Sequence, residues 1–209
     1  MLKVNEIFFD IQDGTTFVGF PSIFISLAGG SLNNYYTSIN SNYALKGEAS
    51  LTIEQIMQEI ARYNCYIVFI MGGEPLYQSK IHSLITSLTN KNYLVLVETS
   101  GTESIKNFNS KAIIILNIPC PSSANFSNFH FDNLNYLRTK DQIKFTLSSS
   151  RDYNWAKELI FKQMLFEKCN ILFYANKESL DFKTLSEWII TDQLPVRLGF
   201  NLKDLFKPT

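Results

Sequence analysis

Short apolar runs that end in glycine or polar turns, alternating with segments of helical period, set the plan of this chain. Ser22–Leu27 is the first such run, closed by Ala28-Gly29-Gly30. Thr52 with Gln55 reads as a capping box, and Ile53, Ile56, Met57 and Ile60 recur on one face of the helix that follows. Tyr66–Met71 predicts the next strand, closed by Gly72-Gly73, and Ile81, Leu84, Ile85 and Leu88 predict a second amphipathic helix. Tyr93–Val97 predicts a third strand, running into Glu98-Thr99-Ser100-Gly101, and Ala112–Leu116 a fourth, ending near Pro119 and Pro121. Gln142–Leu147 and Ile171–Tyr174 predict two more, with a helix around Tyr153–Glu167 between them. A last helix near Thr184–Ile190 leads to Val196–Leu198. Strands alternating with helices predict parallel pairing with the helices outside the sheet. No linker or break in composition interrupts the series, so one domain over residues 1–209 is expected. In such folds ligands gather at the carboxyl ends of the strands, which directs attention to the ends after Met71 and Val97.

Composition narrows the class. With 209 residues, 45% hydrophobic and 14% aromatic, the chain has ample material for a core and is neither disordered nor fibrous. Its 19 basic and 19 acidic residues cancel, which argues against a nucleic-acid partner, since that needs a clustered positive surface. The longest apolar runs are too short to cross a membrane, and Met1–Asp10 has no basic stretch followed by an apolar one. A cytoplasmic location is expected. Cys65, Cys120 and Cys169, widely spaced and set among apolar neighbours, read as small buried hydrophobes in a reducing compartment. His82 and His130 have no carboxylate motif beside them, and Trp155 and Trp188 fall in helices, where they read as core anchors. No nucleophile triad, Walker loop or zinc spacing is present.

Four segments carry a resemblance. Met71-Gly72-Gly73-Glu74-Pro75-Leu76-Tyr77-Gln78 follows a strand and resembles the GGEP motif of radical-SAM enzymes. Glu98-Thr99-Ser100-Gly101-Thr102 resembles the ETSGT segment after the next strand. Asn5–Gln12 and Phe17–Gly29 are similar to the opening of 7-carboxy-7-deazaguanine synthases, and Lys144-Phe145, Asp152 and Val196–Leu202 fall in the same order. The chain is therefore identified by resemblance as a member of that family, which serves the queuosine route and contracts a tetrahydropterin ring by a radical rearrangement. The resemblance implies a partial, open (β/α) barrel of about six parallel strands, of the radical-SAM type. It also implies that Gly72, Gly73, Glu74 and Ser100 line an S-adenosylmethionine site and that Gln12 is a remnant of substrate recognition. Without the resemblance, the same residues read as a strand-closing turn, a polar turn with a serine cap, and a surface glutamine at a strand end.

The family's CX3CX2C loop, whose thiolates hold a 4Fe–4S cluster, corresponds here to Gly30, Asn34 and Thr37. The threonine that helps hold Mg2+ corresponds to Ile39, and two substrate arginines correspond to Phe20 and Ser26. The SPK segment reads Asn117-Ile118-Pro119, and the closing Q-x-H-K reads Asn201-Leu202-Lys203-Asp204. The expectation is a non-catalytic homologue with no cofactor, retaining only weak S-adenosylmethionine binding on the order of 0.1–1 mM. A homodimer and a small nucleoside-like ligand are the expected partners. The alternative is a working synthase-like lyase that uses S-adenosylmethionine.

Overall fold

The computed structural model of the protein describes residues 1–29 and 49–202. The chain divides into two compact units. The first comprises Met1–Gln12, Gly19–Thr99 and Asn107–Ile114, and the second Asp13–Val18, Ser100–Lys106 and the described part of Ile115–Thr209.

In the first unit, β1 (Leu2–Ile11) runs antiparallel to β2 (Pro21–Leu27) and to β3 (Ala49–Leu51). Helix α1 (Ile53–Ile60) then leads to β4 (Ile67–Met71), and α2 (Ile81–Asn90) to β5 (Leu94–Thr99). Strands β2, β4 and β5 pair in parallel, as crossover helices between strands require. They read as unbroken apolar runs because both faces are covered. On one face Ile23, Ile25, Val68, Ile70, Val95 and Val97 pack against Ile56 and Ile60 of α1 and Ile81, Leu84, Ile85 and Leu88 of α2. On the other, the register sets Phe8 against Phe24 and Phe24 against Phe69. The first ring pair is stacked at 4.9 Å between centroids and the second meets edge-to-face at 5.6 Å. The capping box of α1 is complete: Gln55 N–H donates to Thr52 Oγ1 (3.2 Å) and Thr52 N–H to Gln55 Oε1 (2.8 Å).

In the second unit, β6 (Ile113–Ile118), β7 (Gln142–Leu147), β8 (Asn170–Ala175) and β9 (Arg197–Gly199) pair in parallel, with the β6–β7 register starting at Ile115. Helix α3 (Ser150–Lys162) lays Trp155 against Phe145 and Tyr153 against Phe173. Asp152, fully buried at its start, accepts bonds from the backbone N–H groups of Ser122 (3.1 Å) and Ser148 (3.0 Å) and from the Ser122 hydroxyl (2.5 Å). The helix expected through Glu167 breaks at Met164, whose φ of 50° lies in the left-handed region, and resumes as α4 (Leu165–Lys168). Helix α5 (Phe182–Thr191) starts on Asp181, which accepts from Thr184 N–H at 3.1 Å.

The mostly parallel α/β class agrees with the expectation, and two strands are added to it. The short β3 and the long β1 lie outside the predicted alternation. In β1 the register shifts between Val4 and Glu6, so the buried positions run 2, 4, 7 and 8 and the period of two is lost. Among the described residues no helix is long and apolar enough to cross a membrane.

Candidate functional site

The site grows from the turn after β4. Gly72 and Gly73 have φ of 83° and 52°, the left-handed region that side chains disfavour. Space forbids side chains as well. A Cβ on Gly72 would lie 2.8 Å from the Leu27 carbonyl oxygen, and one on Gly73 would lie 1.6 Å from that of Gly29. The turn is thus pressed onto the backbone at the end of β2, and Glu74 N–H donates to Gly29 O at 3.1 Å.

The carboxylate of Glu74 is buried at 5% exposure and turns inward. Its Oε1 accepts from the Thr99 hydroxyl (2.8 Å) and from Leu76 N–H (3.1 Å), capping the single helical turn Pro75–Tyr77. Gln78 completes the anchoring: its Nε2 donates to the carbonyls of Lys3 (2.9 Å) and Ala28 (3.1 Å), and Lys3 N–H donates to its Oε1 (2.8 Å). The ends of β2, β4 and β5 are therefore held together by a buried carboxylate and a bridging amide. The polar backbone groups of this turn are fixed in direction before any ligand arrives.

The residues expected to form one site are distributed over both units. Gly72, Gly73 and Glu74 lie together in the first, with Thr99 as the partner that sequence reasoning did not single out. Ser100 belongs to the second, where its hydroxyl shares a 3.0 Å hydrogen bond with that of Thr102. The neighbouring Gly101 carbonyl accepts from His130 N–H (3.0 Å) and Asn133 Nδ2 (3.1 Å). Gln12 is fully buried, which corrects its reading as a surface glutamine: its N–H donates to Phe20 O (2.9 Å) and its carbonyl accepts from Gly19 N–H (2.8 Å). Phe20 is half exposed. Gly30, Asn34, Thr37 and Ile39 lie outside the described residues, as do Lys203 and Asp204.

The thiols are spread through the fold and unbonded to one another. Burial, with Asp152 adding to it, pushes the Cys120 thiol well above its ordinary range. Burial likewise pushes Cys169 up to about 12, Asp141 adding to the effect. Cys65 is half-buried, its Sγ 3.3 Å from the Pro21 carbonyl. Among the described residues no three His, Cys, Asp or Glu side chains gather into a metal site.

No family profile matches the chain. The fold does have a counterpart: a crystal structure of QueE from Escherichia coli aligns with a TM-score of 0.74 at 19% identity, covering 95% of this chain and 92% of that one. The likeness gives the fold: an α/β protein with a mostly parallel sheet, built as QueE is. In sequence, the 7-carboxy-7-deazaguanine synthase of Chlorobaculum tepidum is 31% identical over 204 residues, covering 96% of this chain and 92% of its own length. That of Koribacter versatilis is 29% identical over 213 residues, covering 95% and 93%. The chain belongs to the 7-carboxy-7-deazaguanine synthase family.

Membership overturns one expectation. The family that the chain belongs to is the one for which S-adenosylmethionine and an iron–sulfur cluster were implied above, so the expectation of no cofactor does not stand. The turn at Gly72–Glu74 fits the first of these, since its fixed backbone can approach a ligand closely.

Proposed function

We propose that this chain is a member of the synthase family that binds S-adenosylmethionine at the turn after β4 and does not complete the family's ring contraction. The carrying observation is the set of residues at positions 30, 34 and 37 of the sequence. Glycine, asparagine and threonine stand where the resemblance sets three cysteines, and that departure from the family's pattern argues against completion of the ring contraction. The chain's other thiols support this reading, because Cys120 and Cys169 are buried and held protonated. Phe20 and Ser26 add to it, replacing the arginines that would grip a substrate carboxylate in two-point fashion. What is retained is the glycine turn and its Glu74–Thr99 tie.

The test is anaerobic incubation of the reconstituted chain with S-adenosylmethionine, reductant and the family's tetrahydropterin substrate. Mass spectrometry should find no deazaguanine product above a protein-free control, while calorimetry finds S-adenosylmethionine bound. A second reading, a working lyase, is favoured by the 31% identity that runs along nearly the whole chain. Product at multiple turnovers, with iron and sulfide bound in stoichiometric amounts, would establish that reading and end the first.

A further inference from the structure

The ladder between β1 and β2 stops short of the glycine turn, and a side chain carries it further. Its last antiparallel pair at this end is Val4 with Leu27, beyond which Ala28 N–H donates to the Lys3 carbonyl at 2.9 Å. The Gln78 amide then bonds both backbone groups of Lys3, accepting from its N–H at 2.8 Å and donating to its carbonyl at 2.9 Å. A peptide group in a neighbouring strand makes the same pair of bonds. Gln78 Nε2 donates also to the Ala28 carbonyl at 3.1 Å, so the amide serves as donor twice and as acceptor once. All of these residues lie in the first unit.

These bonds bear on the turn after β4. The Gly29 carbonyl, one residue beyond Ala28, accepts from Glu74 N–H at 3.1 Å. The backbone N–H of Gln78 donates to the carbonyl of Pro75, the residue after Glu74, also at 3.1 Å. A closed ring results, running from the end of β2 through Glu74 and the single helical turn to Gln78 and back to Ala28. The turn is thereby clasped to β2 at two points, the Glu74 N–H and the Gln78 amide. Gly72 and Gly73 bring no side chains to fix it, so bonds at its flanks hold it in place. A carboxyl group at position 78 cannot reproduce the clasp. Ionised, it sets oxygen against two carbonyl oxygens and donates to neither; protonated, it donates to one of them.

We propose that Gln78 is a positioning residue for S-adenosylmethionine, its amide holding the turn after β4 at the setting the ligand requires. The proposal rests on the reading of that turn as the S-adenosylmethionine site. Calorimetry on the full chain tests it, at a temperature where circular dichroism shows every protein folded. Gln78→Glu should bind S-adenosylmethionine about ten-fold more weakly than the wild type at about pH 8, and the gap should close to about three-fold near pH 5 as the carboxyl takes up its proton. The wild type is titrated at each pH, which cancels the ligand's own groups and the residues that both proteins share beside position 78, namely Lys3, Glu74, Lys80 and His82. Gln78→Met, apolar and of similar length, should bind weakly with a ratio to wild type that does not change with pH. Gln58→Glu, exposed on α1, adds the same charge elsewhere and should follow the wild type. A wild type that binds no S-adenosylmethionine ends the reading of the turn and this proposal with it. A wild type that binds while Gln78→Glu matches it, or differs by the same factor at every pH, ends this proposal alone. Should Gln78→Glu fail to fold, the wild type decides by NMR. Coupling between clasp and ligand is reciprocal, so saturating S-adenosylmethionine should slow exchange of the Gln78 side-chain amide protons with water, and unchanged exchange ends the proposal.

Discussion

The Thr99 hydroxyl donates a 2.8 Å hydrogen bond to the carboxylate of Glu74, two nearly buried groups joined across the ends of adjacent parallel strands. The strands β4 and β5 are in register up to Ile70 and Val97, and they end at Met71 and Thr99, where each leaves the sheet. The bond holds the two departures together at the point where Gly72 and Gly73 turn the backbone through left-handed conformations. Glu74 therefore acts in this structure as a positioning residue for the turn.

Replacing Thr99 with valine keeps the shape and removes the donor, leaving a buried carboxylate short of one bond. The expected cost is about 1–3 kcal/mol, seen as a fall of several degrees in melting temperature. Thr99→Ser should recover most of it. A variant Thr99→Val that melts with the wild type would show the bond to be dispensable.

Gly73→Ala tests the close approach to β2. The alanine would have to adopt a φ of 52°, at about 1–2 kcal/mol, and its Cβ would sit inside the Gly29 carbonyl. Loss of soluble yield, or of S-adenosylmethionine binding in whatever folds, is expected from chromatography and calorimetry. Wild-type stability and binding in this variant would contradict the packing described.

Acid should loosen the contact between α3 and α5. Asp192 accepts from Lys157 Nζ (2.8 Å) and from the Tyr153 hydroxyl (2.7 Å), and these hold its carboxyl below the usual range. A folded-state value below the unfolded one means stability present above about pH 4 and lost as pH falls through the folded value. Denaturant unfolding measured between neutral and acid pH should show that limb in the wild type and a flatter one in Asp192→Asn.

Thiol chemistry should separate the three cysteines. Cys120 and Cys169 are buried and their thiols are held protonated, whereas Cys65 is half-buried. Ellman's reagent at neutral pH should modify Cys65 first and the other two only on unfolding. Rapid native reaction at all three positions would contradict the burial.

A homodimer is the expected assembly, and light scattering should return twice the 24.0 kDa chain mass. The first unit exposes Phe9 at 42%, Phe20 at 50% and Tyr66 at 61%, apolar surface that a second copy would cover. A monomer mass across a wide concentration range would refute it.

Much of the fold was legible because its signals are local. The apolar runs of β2, β4 and β7, the recurrence of isoleucine and leucine along α1 and α2, and the Thr52–Gln55 cap all depend on neighbours within a few residues. The glycine turn was legible for the same reason.

What only the tertiary structure decided involves partners distant in sequence. Thr99 reaches Glu74 across 25 residues and Gln78 reaches Lys3 across 75, and neither pairing leaves a periodic trace. Gln12 is polar and sits at a strand end, which suggests a surface position; its burial follows from the return of the chain through Gly19 and Phe20. The bulge in β1 hid that strand, and the left-handed Met164 ended a helix whose apolar pattern continues through it. Local periodicity records which face of an element is apolar. The identity of the group that meets a buried carboxylate or amide is set by how the strands are ordered and registered, and that is a property of the folded chain.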